Sequence, residues 1–257
     1  MVLLTKMSED IQLLIPDWPA PANVRAVVST RVGGQSQRPF DGANLGDHVG
    51  DEPQDVAANR ARLAQQTGLH RWPWVKQVHG TEVLELLGDD GVGQVADGVH
   101  SRVRAVPCAV LTADCLPVLL CDRQGTQVAA VHAGWRGLAA GILGRAVACF
   151  EAPAEELLVY LGPAIGPAHF EVGQDVYQAF ALLFSRLDGD WRERFRPSAR
   201  SGHFYADLYG LARAALAASG VRQIYGGQFC TYAESDRFYS FRRDGATGRM
   251  VSAVWLV

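Results

Sequence analysis

Two apolar runs of strand length lie in Val106-Pro107-Cys108-Ala109-Val110-Leu111-Thr112-Ala113-Asp114-Cys115-Leu116-Pro117-Val118-Leu119-Leu120-Cys121, and residues 112–115 form the break between them. Short apolar runs without alternation are typical of strands that are buried on both faces of a sheet. A third run of the same character covers residues 126–132. Together the three runs predict three buried strands in the middle of the chain.

Patterns on either side of these runs predict the remaining elements. Apolar residues at helical spacing indicate helices at residues 55–67, 138–150, 175–187 and 207–218. Further strands are predicted at residues 23–30, 74–79, 81–87, 156–161, 224–230, 238–242 and 250–256. Residues 40–53 are too polar and too rich in glycine for a packed element, so they predict an ordered loop or a lid. Since strands and helices mix without regular βαβ alternation, the sequence predicts an α+β protein with mixed sheets, in one domain over residues 1–257.

Composition restricts the classes of function. The 257 residues carry a net charge of −3 and no dense basic run, so nucleic acid is not a predicted partner. The N-terminal residues show no signal-peptide pattern, and no window approaches the roughly 20 apolar residues of a membrane-spanning helix. Five cysteines without a C-x-x-C pair argue against a disulfide framework. The composition therefore predicts a cytoplasmic protein that does not use a membrane.

Three residues that can bind a metal stand at the ends of predicted strands: His79, Cys115 and His132. A sheet holds such side chains accurately, and the nearby Gly80 and Gly134 leave room for a ligand. Two imidazoles and one thiolate suit Zn²⁺ better than Mg²⁺ or Ca²⁺. Three protein ligands leave the fourth tetrahedral position for water, whose pKa zinc lowers to about 7. The pattern therefore indicates a catalytic zinc site.

Two other interpretations of these residues stay open. Each residue alone is more often a structural residue, hydrogen-bonded in the core or at its edge, than a metal ligand. Cys115 can also act without a metal, as the nucleophile of a Cys–His hydrolase in which one histidine is the base and the other orients it. Stock motifs offer no better site, since H-E-x-x-H, G-x-S-x-G and the phosphate loop G-x-x-x-x-G-K-[ST] are missing from the sequence.

Three segments resemble the signature segments of the YfiH family, whose members also carry the labels polyphenol oxidase or laccase domain, purine nucleoside phosphorylase and peptidoglycan editing factor. They are Lys76-Gln77-Val78-His79-Gly80, Thr112-Ala113-Asp114-Cys115-Leu116-Pro117-Val118 and Val131-His132-Ala133-Gly134-Trp135-Arg136-Gly137. The similarity runs almost end to end, through residues 30–34, 44–46, 162–167, 170–173, 240–244 and 247–250. The resemblance implies a four-layer αββα fold and a zinc or Cys–His site at His79, Cys115 and His132.

The resemblance also implies phosphorolysis of adenosine, inosine, guanosine and methylthioadenosine, together with deamination of adenosine. In such a site Asp114 is the candidate proton carrier, or a hydrogen-bond partner of one histidine. Phosphate needs guanidinium partners, an aromatic ring can stack on the purine, and the loop at residues 40–53 could close over the substrate. Candidate substrate-binding residues are Arg31, Asn44, Arg60, Arg136, Phe170 and Arg242. The expected partners are a nucleoside and phosphate, and a monomer is the working assumption.

Two alternative functions are kept beside the nucleoside enzyme. One is an amide hydrolase of the Cys–His type that edits peptidoglycan precursors. The other is an accessory protein without turnover, in which zinc is structural. A structural zinc site normally has four protein ligands, and no fourth donor stands out in the sequence.

One departure from the family pattern is His100, which is predicted to be a surface residue.

Overall fold

The computed structural model describes residues 10–88, 90–186 and 191–257. Predictions for the N-terminal residues 1–9 and for Leu187, the expected end of one helix, fall outside the described residues. The strands are β1 Leu13–Leu14, β2 Val24–Ser29, β3 Val83–Glu85, β4 Gly98–Ser101, β5 Cys108–Thr112, β6 Leu116–Asp122, β7 Val128–Ala133, β8 Leu157–Leu161, β9 Glu171–Gly173, β10 Phe195–Pro197, β11 His203–Ala206, β12 Gln223–Gly226 and β13 Met250–Leu256. The α-helices are α1 Pro53–Thr67, α2 Trp135–Ala139, α3 Ile142–Ala148, α4 Gln174–Phe184, α5 Leu208–Ala218 and α6 Phe241–Asp244.

The strands form three sheets. One has the order β1-β2-β13-β5, one the order β12-β8-β6-β7-β4-β3, and a small one the order β10-β11-β9. The four-stranded sheet is antiparallel throughout, whereas β12 and β3 add parallel pairs to the six-stranded sheet. The predicted α+β class with mixed sheets is thus present.

Successive side chains of each strand point to opposite faces of its sheet, and the cores on these faces divide the fold into four layers. In β6, Leu119 and Cys121 belong to the core that the four-stranded sheet shares with the six-stranded sheet. Val118 and Leu120, on the other face of β6, pack in the core that contains residues of α3, α4 and α5. Helix α1 contributes Leu63 to a third core, on the outer face of the four-stranded sheet. Both faces of the central strands are covered, which explains why their sequences are apolar without alternation.

Local signals place the helices where they begin and end. Helix α1 begins at Pro53 and stops at Gly68, which adopts the left-handed conformation with φ 71°. The predicted helix at residues 138–150 is instead two short helices, because Gly141 at φ 90° interrupts the run and starts α3. Gly134 is the N-cap of α2. No helix among the described residues is long and apolar enough to cross a membrane.

Three predictions for segments near the site are wrong. Residues 74–79 are not a strand, since only an isolated bridge from Lys76 to Val95 forms there. Residues 238–242 are not a strand either, because Ser240 caps the short helix α6 by accepting a hydrogen bond from the Arg243 N–H. His100 is not a surface residue: it lies in β4 at 9% exposure, with its Nδ1 atom 3.1 Å from Gln127 Nε2.

Candidate metal centre

The structure brings together the three residues that the sequence nominates as ligands. The ligand atoms of His79, Cys115 and His132 all lie within 4.8 Å of one another. Cys115 Sγ is 3.8 Å from His79 Nε2, and the two imidazole rings meet edge to face with centroids 4.7 Å apart. His79 is exposed, Cys115 is half-buried and His132 is buried. The cluster therefore opens to solvent on the side of His79.

Strand pairing explains how residues far apart in sequence meet. Strands β6 and β7 are antiparallel, with Leu116 opposite Ala133 and Pro117 opposite His132. The start of β6 and the end of β7 therefore lie at the same edge of the sheet, which places Cys115 beside His132. His79 comes from a turn in the left-handed conformation, with φ 61°.

A buried carboxylate that the sequence analysis did not select, Asp97, holds this arrangement. Its Oδ1 atom lies 2.8 Å from His132 Nδ1. The same carboxylate accepts the backbone N–H groups of Val78, His79 and Gly80 at 3.1, 2.9 and 2.7 Å. Three consecutive N–H groups around one anion form a nest, and they fix the turn that carries His79. One carboxylate thus orients the His132 imidazole and fixes the backbone turn from which His79 extends.

Hydrogen bonding keeps Asp97 charged although it is fully buried. Burial alone would raise its pKa, but the bonds from His132 and from the backbone N–H groups outweigh burial, so the pKa lies below the ordinary value. Because Asp97 occupies Nδ1 of His132, the Nε2 atom of that ring is the one left for Cys115 or for a metal ion.

Gly134 leaves the space that the three side chains occupy. A Cβ atom on Gly134 would lie 3.0 Å from Cys115 Sγ, 3.0 Å from His79 Cδ2 and 3.5 Å from His132 Cε1. Its φ of −61° is open to any residue, so the requirement for glycine here is steric. The glycine in the segment Val131 to Gly137 is thereby explained by close packing of the cluster.

Without a metal, the cluster holds a thiolate next to an imidazolium. Burial raises the pKa of Cys115, but His132 and His79 more than offset it and lower the pKa to about 6. Burial lowers the pKa of His132, whereas the negative charge of Cys115 and the bond to Asp97 raise it to about 9. Near neutral pH, Cys115 is therefore in the anionic form that binds metals and attacks electrophiles.

The donor set fits zinc. Bonds of about 2.0–2.3 Å in a tetrahedral site place ligand atoms roughly 3.3–3.7 Å apart. The 3.8 Å between Cys115 Sγ and His79 Nε2 is close to this spacing, and the limit of 4.8 Å for the whole set is about 1 Å wider. Among the described residues this is the one group of at least three histidine, cysteine or acidic side chains with such convergence. It provides three protein ligands and an open side.

Asp114 does not bond to either histidine. Its Oδ1 accepts a hydrogen bond from Thr231 Oγ1, and its Oδ2 accepts one from the backbone N–H of Arg242, both at 2.6 Å. The expected bond between Asp114 and a histidine is wrong, because Asp97 makes it. Asp114, at φ 90°, instead ties the segment before Cys115 to the turn at Thr231 and to the first turn of α6.

Two of the predicted arginines are engaged with carboxylates. Arg31 pairs with Asp41 at 3.1 Å, and it also donates to the carbonyl of Ser235. Arg60 pairs with Asp47 at 3.2 Å and donates through Nε to the carbonyl of Leu45. Both side chains therefore brace the loop at residues 40–53.

Asn44 is also part of this bracing. It is fully buried, and its side chain bonds to Gly46, Asp51 and the backbone N–H of Arg249. These bonds hold the segment at residues 44–46 against the end of the chain. Of the two predictions for residues 40–53, the ordered loop is the one present.

The remaining predicted residues, Arg136, Phe170 and Arg242, take part in contacts between an arginine and an aromatic ring. Arg136 is exposed and stacks on Trp135, with its guanidinium 4.4 Å from the ring centroid. Phe170 is buried at 7% exposure, and the Arg242 guanidinium lies 5.3 Å over its ring. Arg242 also donates to the carbonyl of Glu171. Phe170 is therefore mainly a core residue that presents one face to Arg242.

Known proteins are similar in sequence to this chain over most of its length. Residues 25–257 match the family described as multi-copper polyphenol oxidoreductase laccase. The chain belongs to this laccase-like family. A Pseudomonas aeruginosa relative named purine nucleoside phosphorylase is 53% identical over 243 residues, which cover 95% of this chain and 98% of the relative. An Escherichia coli relative named purine nucleoside phosphorylase YfiH is 48% identical over 247 residues, covering 96% and 99%.

Solved structures of the laccase-like family agree with the fold. A crystal structure of a Neisseria meningitidis protein has a TM-score of 0.89 and 49% identity, covering 95% of this chain and 98% of that chain. The YlmD protein of Geobacillus stearothermophilus has a TM-score of 0.86 and 32% identity, covering 99% and 98%. The YfiH resemblance and the α+β fold are thereby confirmed.

The name multi-copper does not describe the donors found here. A cluster of several copper ions needs a dense set of histidines. The described residues bring two histidines and one cysteine together in a single group. The described part of this member of the laccase-like family therefore offers a single group of three donors, which could hold one metal ion.

Proposed function

We propose that this protein is a zinc-dependent purine nucleoside phosphorylase that also deaminates adenosine. The convergence of His79, Cys115 and His132 on one open site carries the proposal. Relatives at 53% and 48% identity that bear the name purine nucleoside phosphorylase support the reaction class. The proposed substrates are adenosine, inosine, guanosine and methylthioadenosine, with inorganic phosphate as the second substrate. A cytoplasmic location and a monomeric state stay predictions.

We assign each residue of the site a role in this reaction, either as a metal ligand or as a positioning residue. His79, Cys115 and His132 would hold the ion, which when bound supplies Lewis acidity to a substrate oxygen or a water. Asp97 keeps the His132 imidazole in its ligand orientation and fixes the backbone of His79. Asp114 is a positioning residue, since both of its oxygens accept bonds that fix the segment before Cys115. Zinc is proposed because a mixed nitrogen and sulfur donor set suits it.

A second candidate function rests on a separate observation. The pKa of Cys115 is lowered to about 6 while that of His132 is raised to about 9, as in a thiolate–imidazolium pair. Such a pair can attack an amide carbonyl, with Cys115 as nucleophile and His132 as the acid for the leaving amine. An amide hydrolase acting on peptidoglycan precursors is therefore the competing proposal. A purely structural zinc site is disfavoured, because three donors converge where four are usual.

One screen distinguishes these functions. Zinc-loaded protein is incubated with each nucleoside, with and without phosphate, while free base, ribose 1-phosphate and ammonia are measured. Phosphate-dependent base release is expected, and ammonia release from adenosine is expected to be independent of phosphate. The Cys115→Ala variant should lose both zinc and turnover. Cys149→Ala is the matched control, because Cys149 is also half-buried but its thiol bonds only to the carbonyl of Arg145 among the described residues.

The alternative outcomes are equally specific. Turnover of muramyl-amino-acid compounds alone, retained in metal-free protein and lost in Cys115→Ala, would select the amide hydrolase. Stoichiometric zinc without turnover of either substrate class would leave the accessory role. Base release that does not depend on phosphate would contradict phosphorolysis.

A further inference from the structure

Arg249 lies beside the metal centre, although the sequence analysis did not select it. It directly precedes β13, whose first residue Met250 pairs with Thr112. The antiparallel register therefore continues from this pair toward Arg249 on one strand and toward the segment 113–115 on the other. Arg249 thus stands next to the chain segment that ends in Cys115.

The guanidinium of Arg249 is held by one of its terminal nitrogens. Nη1 donates to the carbonyls of Thr247 and Gly248, at 2.9 and 3.0 Å. Within the described ranges, no hydrogen bond reaches Nε or Nη2, and no carboxylate oxygen lies within 4.0 Å of the group. The free Nε and Nη2 atoms form the edge of a guanidinium that bonds bidentately to oxyanions.

Several other arginines are paired with a carboxylate, and Arg136 and Arg242, which have no such partner among the described residues, are exposed. Arg31 pairs with Asp41, Arg60 with Asp47, and Arg243 with Asp244. Arg249 differs because it is partly buried and yet carries no paired carboxylate among the described residues. The Arg249 guanidinium carbon also lies 5.9 Å over the Phe241 ring, so the ring covers one face of the group while the Nε–Nη2 edge remains for a negative ligand.

The backbone and stem of Arg249 are fixed before any ligand binds. Asn44 Oδ1 accepts the Arg249 N–H at 2.8 Å, and the Leu45 N–H donates to the Arg249 carbonyl at 3.1 Å. A Cβ atom on Gly46 would lie 2.7 Å from Arg249 Cγ, so the arginine stem fills the space above that glycine. The guanidinium is therefore held in place from the loop at residues 40–53.

Electrostatics agree with this placement. Burial lowers the pKa of Arg249, while the negative charges of Cys115 and Asp114 raise it in part. These charges interact with the guanidinium, so Arg249 lies within electrostatic range of the metal centre. Because Cys115 and Asp114 make the site negative, an anionic ligand can bind there only if a cation such as Arg249 offsets the repulsion.

We propose that the Nε–Nη2 edge of Arg249 binds the inorganic phosphate that attacks the nucleoside. This inference rests on the proposed phosphorolysis, and it names the residue that positions the nucleophile. Oxyanion binding at a fixed guanidinium places phosphate next to the ion held by His79, Cys115 and His132. In phosphorolysis, a phosphate oxygen forms the bond to C1′ of the ribose as the bond from C1′ to the purine nitrogen breaks. The purine leaves with the bonding electron pair and takes up one proton.

The test compares Arg249→Gln and Arg249→Lys with wild type in two assays. In the first, KM is measured separately for phosphate and for inosine. Arg249→Gln is expected to raise the phosphate KM at least tenfold with the inosine KM within about twofold. The phosphate KM of Arg249→Lys should fall between those of wild type and Arg249→Gln, because a lysine keeps the charge without the bidentate edge. Arg25→Gln is the matched control, since Arg25 also donates only to backbone carbonyls and is exposed.

The second assay measures inorganic phosphate binding to zinc-loaded protein by calorimetry, without nucleoside. Binding that is present in wild type and weakened at least tenfold in Arg249→Gln supports the inference, whether or not phosphorolysis is found. Absence of phosphorolysis in wild type overturns the proposed function alone. An unchanged phosphate KM and unchanged phosphate affinity in Arg249→Gln, or no phosphate binding by wild type, overturns the role of Arg249. Loss of zinc in both Arg249 variants would also overturn it, because Arg249 would then support the ligands.

Discussion

Asp97 Oδ1 lies 2.8 Å from His132 Nδ1, and the same carboxylate accepts the backbone N–H of His79 at 2.9 Å. The two imidazoles of the site, 53 positions apart in the chain, therefore depend on a single buried anion. A carboxylate behind a metal-binding histidine fixes the ring and increases its basicity.

Asp97→Asn should weaken zinc binding about 10–100-fold. The amide has one oxygen for four donors, and its NH₂ group favours the wrong tautomer of His132. Zinc affinity is measured by competition with a chromophoric chelator. Asp122→Asn is the control, because Asp122 is also buried and accepts backbone N–H groups, from Thr126 and Gln127, but contacts no histidine. Equal loss of zinc affinity in both variants would contradict a specific role for Asp97.

Gly134→Ala should weaken zinc binding by about 1–3 kcal/mol, since its methyl group would crowd Cys115 Sγ and His79 Cδ2, each 3.0 Å away. The same competition assay measures this change. Gly144→Ala in α3 is the control, because its new Cβ atom would meet only Ser219 Oγ, at 3.5 Å. That substitution should leave zinc affinity unchanged and favour the helix slightly. Normal zinc affinity in Gly134→Ala would show that the cluster has more room than the structure indicates.

Alkylation of the metal-free protein by iodoacetamide should be half-maximal near pH 6 at Cys115. The thiolate is the reactive form, so the rate falls as pH drops below the lowered pKa and reaches a plateau above it. Cys149 serves as an internal comparison, because burial raises its pKa above the ordinary 9.0 and its labelling should need more alkaline solution. Peptide mass spectrometry follows each site. A midpoint near pH 9 at Cys115 would refute the thiolate–imidazolium pair. Bound zinc should protect Cys115 wherever the pH is high enough for its ligands to stay deprotonated.

Asp114→Asn should lower kcat without shifting the pH dependence of turnover, if Asp114 only positions the segment before Cys115. Thr231→Val is the companion variant, because it removes one of the two hydrogen bonds to the same carboxylate. The two variants should show losses of similar size, of roughly tenfold or less, since each removes one bond to a charged group. If Asp114 carries the proton instead, only Asp114→Asn will abolish one limb of the pH profile.

The central sheet and the convergence of His79, Cys115 and His132 could be predicted from the sequence. Strands β5, β6 and β7 are covered on both faces, and that burial leaves an apolar run that local sequence shows directly. Cys115 and His132 stand out because polar, metal-binding residues at the ends of such runs are uncommon, whereas the strand predicted before His79 is not present. The boundaries of β13 match the predicted residues 250–256 for the same reason.

The residues that complete the site could not be predicted in this way. Asp97 contacts His132 across 35 positions, and nothing in its local sequence indicates that its partners are three N–H groups and an imidazole. The turn that carries His79 is defined by those same bonds, so residues 74–79 look like a strand when read alone. Arg249 is placed by strand register and by Asn44, 205 positions away. Contacts between residues far apart in the chain leave no periodic pattern in the local sequence from which they could be predicted.

Zinc-edge X-ray absorption, together with metal analysis, tests the central claim that His79, Cys115 and His132 bind one ion. Wild-type protein should contain close to one zinc per chain, with one sulfur neighbour at about 2.3 Å and the remaining neighbours at about 2.0–2.1 Å. Cys115→Ala should lose the sulfur neighbour together with most of the metal. Zinc without a sulfur neighbour in wild type, or a sulfur neighbour that persists in Cys115→Ala, would contradict the account.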